Sequence, residues 1–215
     1  MKKIILMAAM MVATITASAQ REAGAMTLQP KLGFGLTSVT NYNPYAGTKI
    51  DKSVKVGGLA GIEFEYQLTP MFSLAAAANY TIQGAQWSDY SVAGMDLKDI
   101  TMELQYVNVP IVLNAYLFQG FAVKAGLQFG LLTSAKTSME TKNVPGFTDG
   151  KHESEDFKKE CKKLDISIPF GASYEFSNVV IDARYNLGLT KINKEGSDAC
   201  KNSVFMLTFG YKFDI

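Results

Sequence analysis

The chain is 215 residues long, and several things are scarce in it. It has one histidine, His152, and two cysteines, Cys161 and Cys200. A Ser/His or Asp/His hydrolase would have to draw its base from that one histidine, which sits among charges in a polar stretch. Two cysteines and one histidine also give no standard metal-ligand spacing. Charge of one sign is missing too. With 21 Lys and Arg against 20 Asp and Glu, the net charge of +1 leaves no basic footprint for nucleic acid and no acidic surplus for cationic partners. Beyond residue 19 there is no apolar run of membrane-helix length, and no stretch keeps a 3.6-residue period for more than about two turns. A mean hydropathy near zero agrees in excluding a helical polytopic membrane protein. What is present is 47% hydrophobic residues, 18 Gly, 10 Tyr and 13 Phe, which excludes disorder and suits one compact domain.

Met1-Lys2-Lys3 is a short positive start, residues 4–13 are apolar, and Ala17-Ser18-Ala19 supplies the small residues of a cleavage site. This predicts a signal peptide at 1–19, cut between Ala19 and Gln20, and an exported barrel domain at 20–215. A membrane anchor would need about 20 apolar residues, whereas Thr14, Thr16 and Ser18 break this run. No cysteine follows the cleavage site, so no lipid anchor is expected.

From there the hydrophobic period is two. Leu28, Pro30, Leu32, Phe34 and Leu36 alternate with Gln29, Lys31, Gly33 and Gly35, which gives a strand one apolar and one polar face. The pattern recurs over 56–68, 72–82, 104–117, 121–131, 164–176, 179–189 and 205–213. Within 104–117 the parity slips, from Leu104 and Tyr106 to Val107, Val109 and Ile111, as one extra residue near Tyr106 would make it do. Eight strands of about 9 to 12 residues have the length that tilted membrane-spanning strands need.

The links alternate strictly. Thr69-Pro70-Met71, Phe118-Gln119-Gly120 and Ser177-Asn178 are tight hairpins, whereas 38–54, 84–100, 133–162 and 190–202 are long and polar. Short turns at one rim, long loops at the other and an even strand count predict an all-β, eight-stranded, antiparallel up-and-down transmembrane β-barrel in a bacterial outer membrane. Tyr66, Phe72, Tyr116, Phe121, Tyr174, Phe176, Tyr211 and Phe213 cluster at the short-turn rim like an interfacial girdle.

The segment from Leu104 through Tyr106, Val109 and Pro110 to Ile111 is similar to a middle-strand signature of the PorT-like outer-membrane β-barrel family. More broadly the chain resembles small barrels of the OmpA/OmpX type. The alternating Phe209, Tyr211 and Phe213 look like the terminal signal read by barrel-assembly machinery, with Asp214-Ile215 following where many barrels end on Phe. The resemblance covers the whole mature chain and implies outer-membrane lipid and the assembly machinery as partners. The family is functionally mixed, and the secretion role of its namesake is one possibility within it.

If the apolar faces meet lipid, then Lys31, Glu63, Glu65, Glu103, Lys124, Asp165, Glu175, Asp182, Arg184 and Lys212 point into the lumen. Such charges must be paired and hydrogen-bonded. Glu65, Lys124, Glu175, Asp182, Arg184 and Lys212 lie near a short turn or the C-terminus and should form a layer at that rim. Eight strands leave an interior just wide enough for side chains, which predicts a structural plug with no stable open pore; an ion or proton path through it is the other reading. Cys161 and Cys200 fall on adjacent long loops at one rim. In an exported protein this suggests a disulfide, worth about 4 kcal/mol for a loop of roughly 40 residues, with two thiols as the alternative.

No cofactor, metal or catalytic site follows from these residues, and a non-enzymatic barrel is expected. Its long loops, charged in both signs around 136–163 and carrying Asn43-Pro44-Tyr45, Trp87 and Tyr90 as apolar points, would meet an extracellular or periplasmic partner or form a solvated cap. The rival is a soluble, exported, lipocalin-like barrel with an apolar ligand inside. The two differ in which strand face is apolar, and the glycines and opposed charges of the second face suit a cramped polar lumen.

Overall fold

A computed structural model describes residues 21–40, 52–87, 90–92, 95–142, 150–153, 156–194 and 200–215. The predicted signal peptide and Asn43-Pro44-Tyr45 lie outside them. The described strands are β1 (Met26–Thr40), β2 (Lys52–Ser53), β3 (Lys55–Thr69), β4 (Phe72–Trp87), β5 (Tyr90–Val92), β6 (Met95–Phe118), β7 (Phe121–Lys142), β8 (Gly150–Glu153), β9 (Leu164–Phe176), β10 (Val179–Gly188), β11 (Lys201–Tyr211) and β12 (Phe213–Asp214), with a short 3-10 turn at Phe157–Glu160. Eight of them close a ring in the order β1, β3, β4, β6, β7, β9, β10, β11, every pairing antiparallel. First and last strands meet from Lys31↔Gly210 to Thr40↔Lys201, and β12 continues that seam at Leu28↔Phe213. Closure leaves the barrel wall no free edge, so its backbone groups are satisfied without water.

The three tight turns lie where the alternation ended. Ser177 and Asn178 both have positive φ, 47° and 71°, as a two-residue hairpin turn of the primed type demands. Gly120, at φ 76°, sits where a Cβ would come within 2.2 Å of Glu175 O. No helix among the described residues is long and apolar enough to cross a membrane; the crossing is made by strands.

Over most of its height the wall is apolar outside and polar inside. Leu32, Phe34, Ile62, Leu113, Leu127, Phe170, Ile181 and Phe209 are exposed, while Lys31, Glu63, Asn79, Asn114, Lys124, Gln128, Asp182 and Thr208 are buried. This orientation is the reverse of a lipocalin's and sets that alternative aside.

Toward the long-loop rim the faces exchange character. Val39, Ala85, Trp87, Ile100, Met102, Leu104, Tyr106, Leu132, Ala135, Cys161, Ile192 and Cys200 form one buried apolar cluster inside the mouth, at most 4% exposed, with Phe157 packed on it. The slip in the apolar pattern of β6 therefore has a different cause from the one expected. β6 keeps its even residues inside throughout, from Ile100 to Tyr116. The lumen itself turns from polar to apolar there, and Leu104 and Tyr106 follow it. The extra residue belongs to β7: Gln105 pairs with Ser134 and Tyr106 with Leu132, which leaves Thr133 as the bulge. Beyond it β7 buries odd instead of even positions, and Ala135 joins the cluster.

The strands also run far into the segments expected to be loops, β6 for 24 residues and β7 for 22. Trp87, expected as a loop contact point, is buried in the mouth. His152 lies on β8, across from Met139 of β7.

Candidate functional site

The lumen is stacked in four layers. At the short-turn rim, Lys212 Nζ lies 2.8 Å from both Glu65 and Glu175. The hydroxyls of Tyr116 and Ser73 donate to Glu65, and Asn114 Nδ2 does so at 3.1 Å. Arg21, ahead of β1, reaches across the mouth to Glu175 at 2.6 Å and to Asp214 at 2.8 Å. Gly24 N–H donates to Gln67 O and Gln67 N–H to Ala25 O, which ties this N-terminal arm to β3.

Above lies a second charged layer. Glu63 pairs with Lys31 and lies 3.5 Å from Arg184; Arg184 bonds Asp182 at 3.0 Å, and Asp182 meets Lys124 at 2.5 Å. The chain of five runs across the bore from β1 and β3 to β10 and β7, all five side chains at most 8% exposed. In low dielectric each charge is tolerable only because the next one offsets it.

The third layer is almost neutral. Asn108 and Gln83 donate to Thr81 Oγ1 at 2.7 and 2.8 Å, Gln128 to Ser167 at 3.2 Å, and Asn202 to Tyr106 Oη at 3.3 Å. Asp165 sits here, buried, accepting from Thr190 Oγ1 at 2.8 Å. Among the described residues it has no cation within salt-bridge distance. The apolar cluster forms the fourth layer, at the long-loop end of the lumen.

Nine of the ten predicted lumen residues point inward. The exception is Glu103. It lies on the outer face of β6, opposite in parity to buried Met102 and Leu104, with its side chain 36% exposed, and meets Lys55 at 3.3 Å. Gln105 beside it donates to Glu103 at 2.9 Å and accepts from Tyr80 Oη at 2.6 Å. The prediction took every charged strand position as inward, but at this height the barrel is apolar within and polar without. The expected single rim layer is also two, since Lys124, Asp182 and Arg184 join Lys31 and Glu63 one level higher. Tyr116, expected in the girdle, is buried in the lumen. With Glu103 outside and Arg21 inside, five acids (Glu63, Glu65, Asp165, Glu175, Asp182) face five bases (Arg21, Lys31, Lys124, Arg184, Lys212). Arg21 escaped notice because it precedes the alternating pattern.

In the structure the sulfurs of Cys161 and Cys200, expected as a disulfide, are not bonded to each other. Both flank one short segment: Cys161 bridges Asn193, and Ile192 N–H donates to Cys200 O at 2.8 Å. Burial, with Glu160 beside it, pushes the Cys161 thiol up to about 11, which disfavours the thiolate that disulfide formation requires. Phe209, Tyr211 and Phe213 all face outward near the short-turn rim; Phe209 stacks on Phe34 at 6.5 Å across the closing seam, and Tyr211 and Phe213 lie 4.8 Å apart. Among the described residues no three of His, Cys, Asp and Glu gather as a metal site would need.

Residues 18–194 match the family model described as outer membrane protein beta-barrel domain. No curated protein matches the chain. Among solved structures it is similar to Ail, the attachment invasion locus protein of Yersinia pestis, in complex with the heparin analogue sucrose octasulfate (17% identity over 89% of this chain and 99% of that one, TM-score 0.49). It is similar also to Neisserial surface protein A (16%, 88% and 99%, TM-score 0.45) and to OprG from Pseudomonas aeruginosa (12%, 91% and 99%, TM-score 0.42).

Proposed function

The chain belongs to the outer-membrane β-barrel domain family, and from that premise we propose that it is a non-enzymatic barrel with a bore closed to solutes, acting through its wall and its external loops. It is an integral protein of the bacterial outer membrane, with the short turns and both strand termini on the periplasmic side.

The observation that carries the closed bore is the five-membered chain from Lys31 through Glu63, Arg184 and Asp182 to Lys124. An ion crossing this level would have to separate buried pairs that have no water to replace them. The apolar cap above is a second barrier of opposite character, since it offers an ion few polar groups in place of its water. A catalytic role finds no support in the lumen, whose carboxylates are engaged by cations, hydroxyls or amides. Tyr106 to Ile111 favours a PorT-like place within the family. The outward, alternating Phe209, Tyr211 and Phe213 support reading the end of the chain as a signal for barrel-assembly machinery, and the external loops are the surface left for a partner.

Reconstituted in a planar bilayer, the protein is expected to give no sustained conductance. Frequent large single-channel steps would overturn the closed bore.

A further inference from the structure

Of the five lumen carboxylates, Glu63, Glu65, Glu175 and Asp182 each meet a lysine or arginine within salt-bridge distance. Asp165, 7% exposed, meets none among the described residues. Acids and bases are thus equal in number along the lumen but not in place. The second layer already sets three bases, Lys31, Lys124 and Arg184, on two acids, Glu63 and Asp182. Its surplus does not reach Asp165, which pairs with Gly130 of β7, six residues beyond Lys124 and so about 20 Å along the strand. A pairing charge acts within about 4–6 Å. A carboxylate buried this way stays ionised only if a cation comes to it.

Its surroundings are rich in oxygen. Thr190 Oγ1 lies 2.8 Å from the carboxylate. Asn202 stands beside it, with Nδ2 turned to Tyr106 Oη at 3.3 Å and Oδ1 buried without a hydrogen-bond partner among the described residues. At Gly130, the point that a Cβ would take has Asn108 Oδ1 at 2.5 Å, with the Cβ of Asp165 and the ring of Tyr106 each at 3.4 Å. The other end of that amide, Asn108 Nδ2, is spent on Thr81. One carboxylate from β9 and two amide oxygens, from β6 and β11, therefore gather at one level of the lumen.

Carboxylate and amide oxygens are the ligands of hard cations. Charge decides which cation. On a single carboxylate a divalent ion would leave a positive charge uncompensated in low dielectric, added to the surplus of the second layer, whereas a monovalent ion cancels Asp165. We propose that Asp165, with the amide oxygens of Asn108 and Asn202, holds a dehydrated alkali-metal ion, sodium or potassium, in the third layer. The ion is a structural member of the plug. With the apolar cluster on one side and the five-membered charged chain on the other, it is loaded as the barrel folds. The site rests on the closed bore only for that route of entry, and the bilayer experiment tests the bore separately.

The test is urea unfolding of the full chain, refolded in detergent in sodium chloride, potassium chloride or choline chloride at one total salt concentration. Choline screens charge as the alkali ions do but is too large for the site, so a difference between the salts reports binding and not ionic strength. An ion that binds only the folded barrel raises the folded-to-unfolded ratio by up to about tenfold for each tenfold rise in its concentration. The midpoint of the parent should therefore climb as sodium or potassium replaces choline, and the ion with the steeper rise is the occupant. Asp165→Asn should give one midpoint in all three salts. Glu103→Gln, which removes a carboxylate from the outer face, should keep the dependence of the parent. Equal midpoints for the parent in all three salts would leave water or a proton at Asp165 and overturn the proposal. An Asp165→Asn protein that responds to sodium or potassium as the parent does would overturn it equally. Unboiled gel mobility shows that each barrel has formed, and the three-salt comparison of the parent decides the matter if Asp165→Asn does not fold.

Discussion

Glu63 shows most directly what one side chain does in the plug. It stands between Lys31 and Arg184, 3% exposed, and its charge is what allows two cations to share the bore with Lys124. Glu63→Gln leaves Lys31, Lys124 and Arg184 against Asp182 alone, so unfolding in urea should lose about 3–5 kcal/mol. Glu103→Gln, at the surface with its side chain 36% exposed, should change the same midpoint by about 0–1 kcal/mol. Equal losses would contradict the placement of Glu103 outside. Cys161 gives a chemical readout at the same scale. With its thiol pushed up to about 11, maleimide labelling of the folded barrel should be slow at pH 7 and should quicken as pH rises, because only the thiolate reacts. Denatured without reductant, each chain should take two labels; no label would mean that the two sulfurs are joined in the cell.

At the scale of elements, the informative feature is the bulge at Thr133. It lets β7 serve two environments: below it even residues such as Lys124 and Gln128 face the polar lumen, and above it Ala135 enters the apolar cap. Deleting Thr133 alone would only regularise the strand, with Leu104 still opposite Ala135, whereas deleting Thr133 and Ser134 together would turn Ala135 outward and drive Lys136 into the cluster around Leu104 and Trp87. The double deletion should cost several kcal/mol, since it buries an unpaired ammonium. Emission from Trp87, the single tryptophan, reports it: blue-shifted in the parent, where the ring is 2% exposed, and red-shifted in the deletion. An unchanged spectrum would show that the upper strand tolerates either register.

At the scale of the molecule, the outward apolar positions of β6 run from Val107 to Leu117. Ten residues at about 3.4 Å each, tilted about 40°, rise roughly 25 Å, the height of the apolar band of an outer-membrane barrel. The remaining dozen or so residues of β6 stand above the bilayer, where an apolar inside and a polar outside are the stable arrangement for a sheet in water. Two solvents thus divide one barrel into an inverted half and a water-type half. A closed barrel with both halves packed should resist SDS until boiled. Unboiled protein should run faster on a gel than boiled protein under reducing conditions; recovery in the soluble periplasmic fraction without a shift would reverse the assignment of faces.

Strand count, antiparallel order, the positions of the three tight turns and the inward direction of nine lumen charges were all legible in the sequence. Each follows from a local rule: period two for a strand with two unlike faces, and glycine or a small polar residue where φ is positive. Three things were not legible. Where the lumen changes from polar to apolar depends on which strands meet at one height, so Leu104 and Tyr106 looked displaced although their strand is regular. The bulge was assigned to the wrong strand for the same reason: parity along one strand shows that something slips, but only the register between Gln105 and Ser134 shows which partner holds the extra residue. Arg21 belongs to no strand, and its place against Glu175 comes from an arm that crosses the mouth, a contact between residues 154 positions apart. Local patterns decide what each strand is; the closing of the ring decides what each side chain meets, because it sets strands at fixed heights around a bore just wide enough for them.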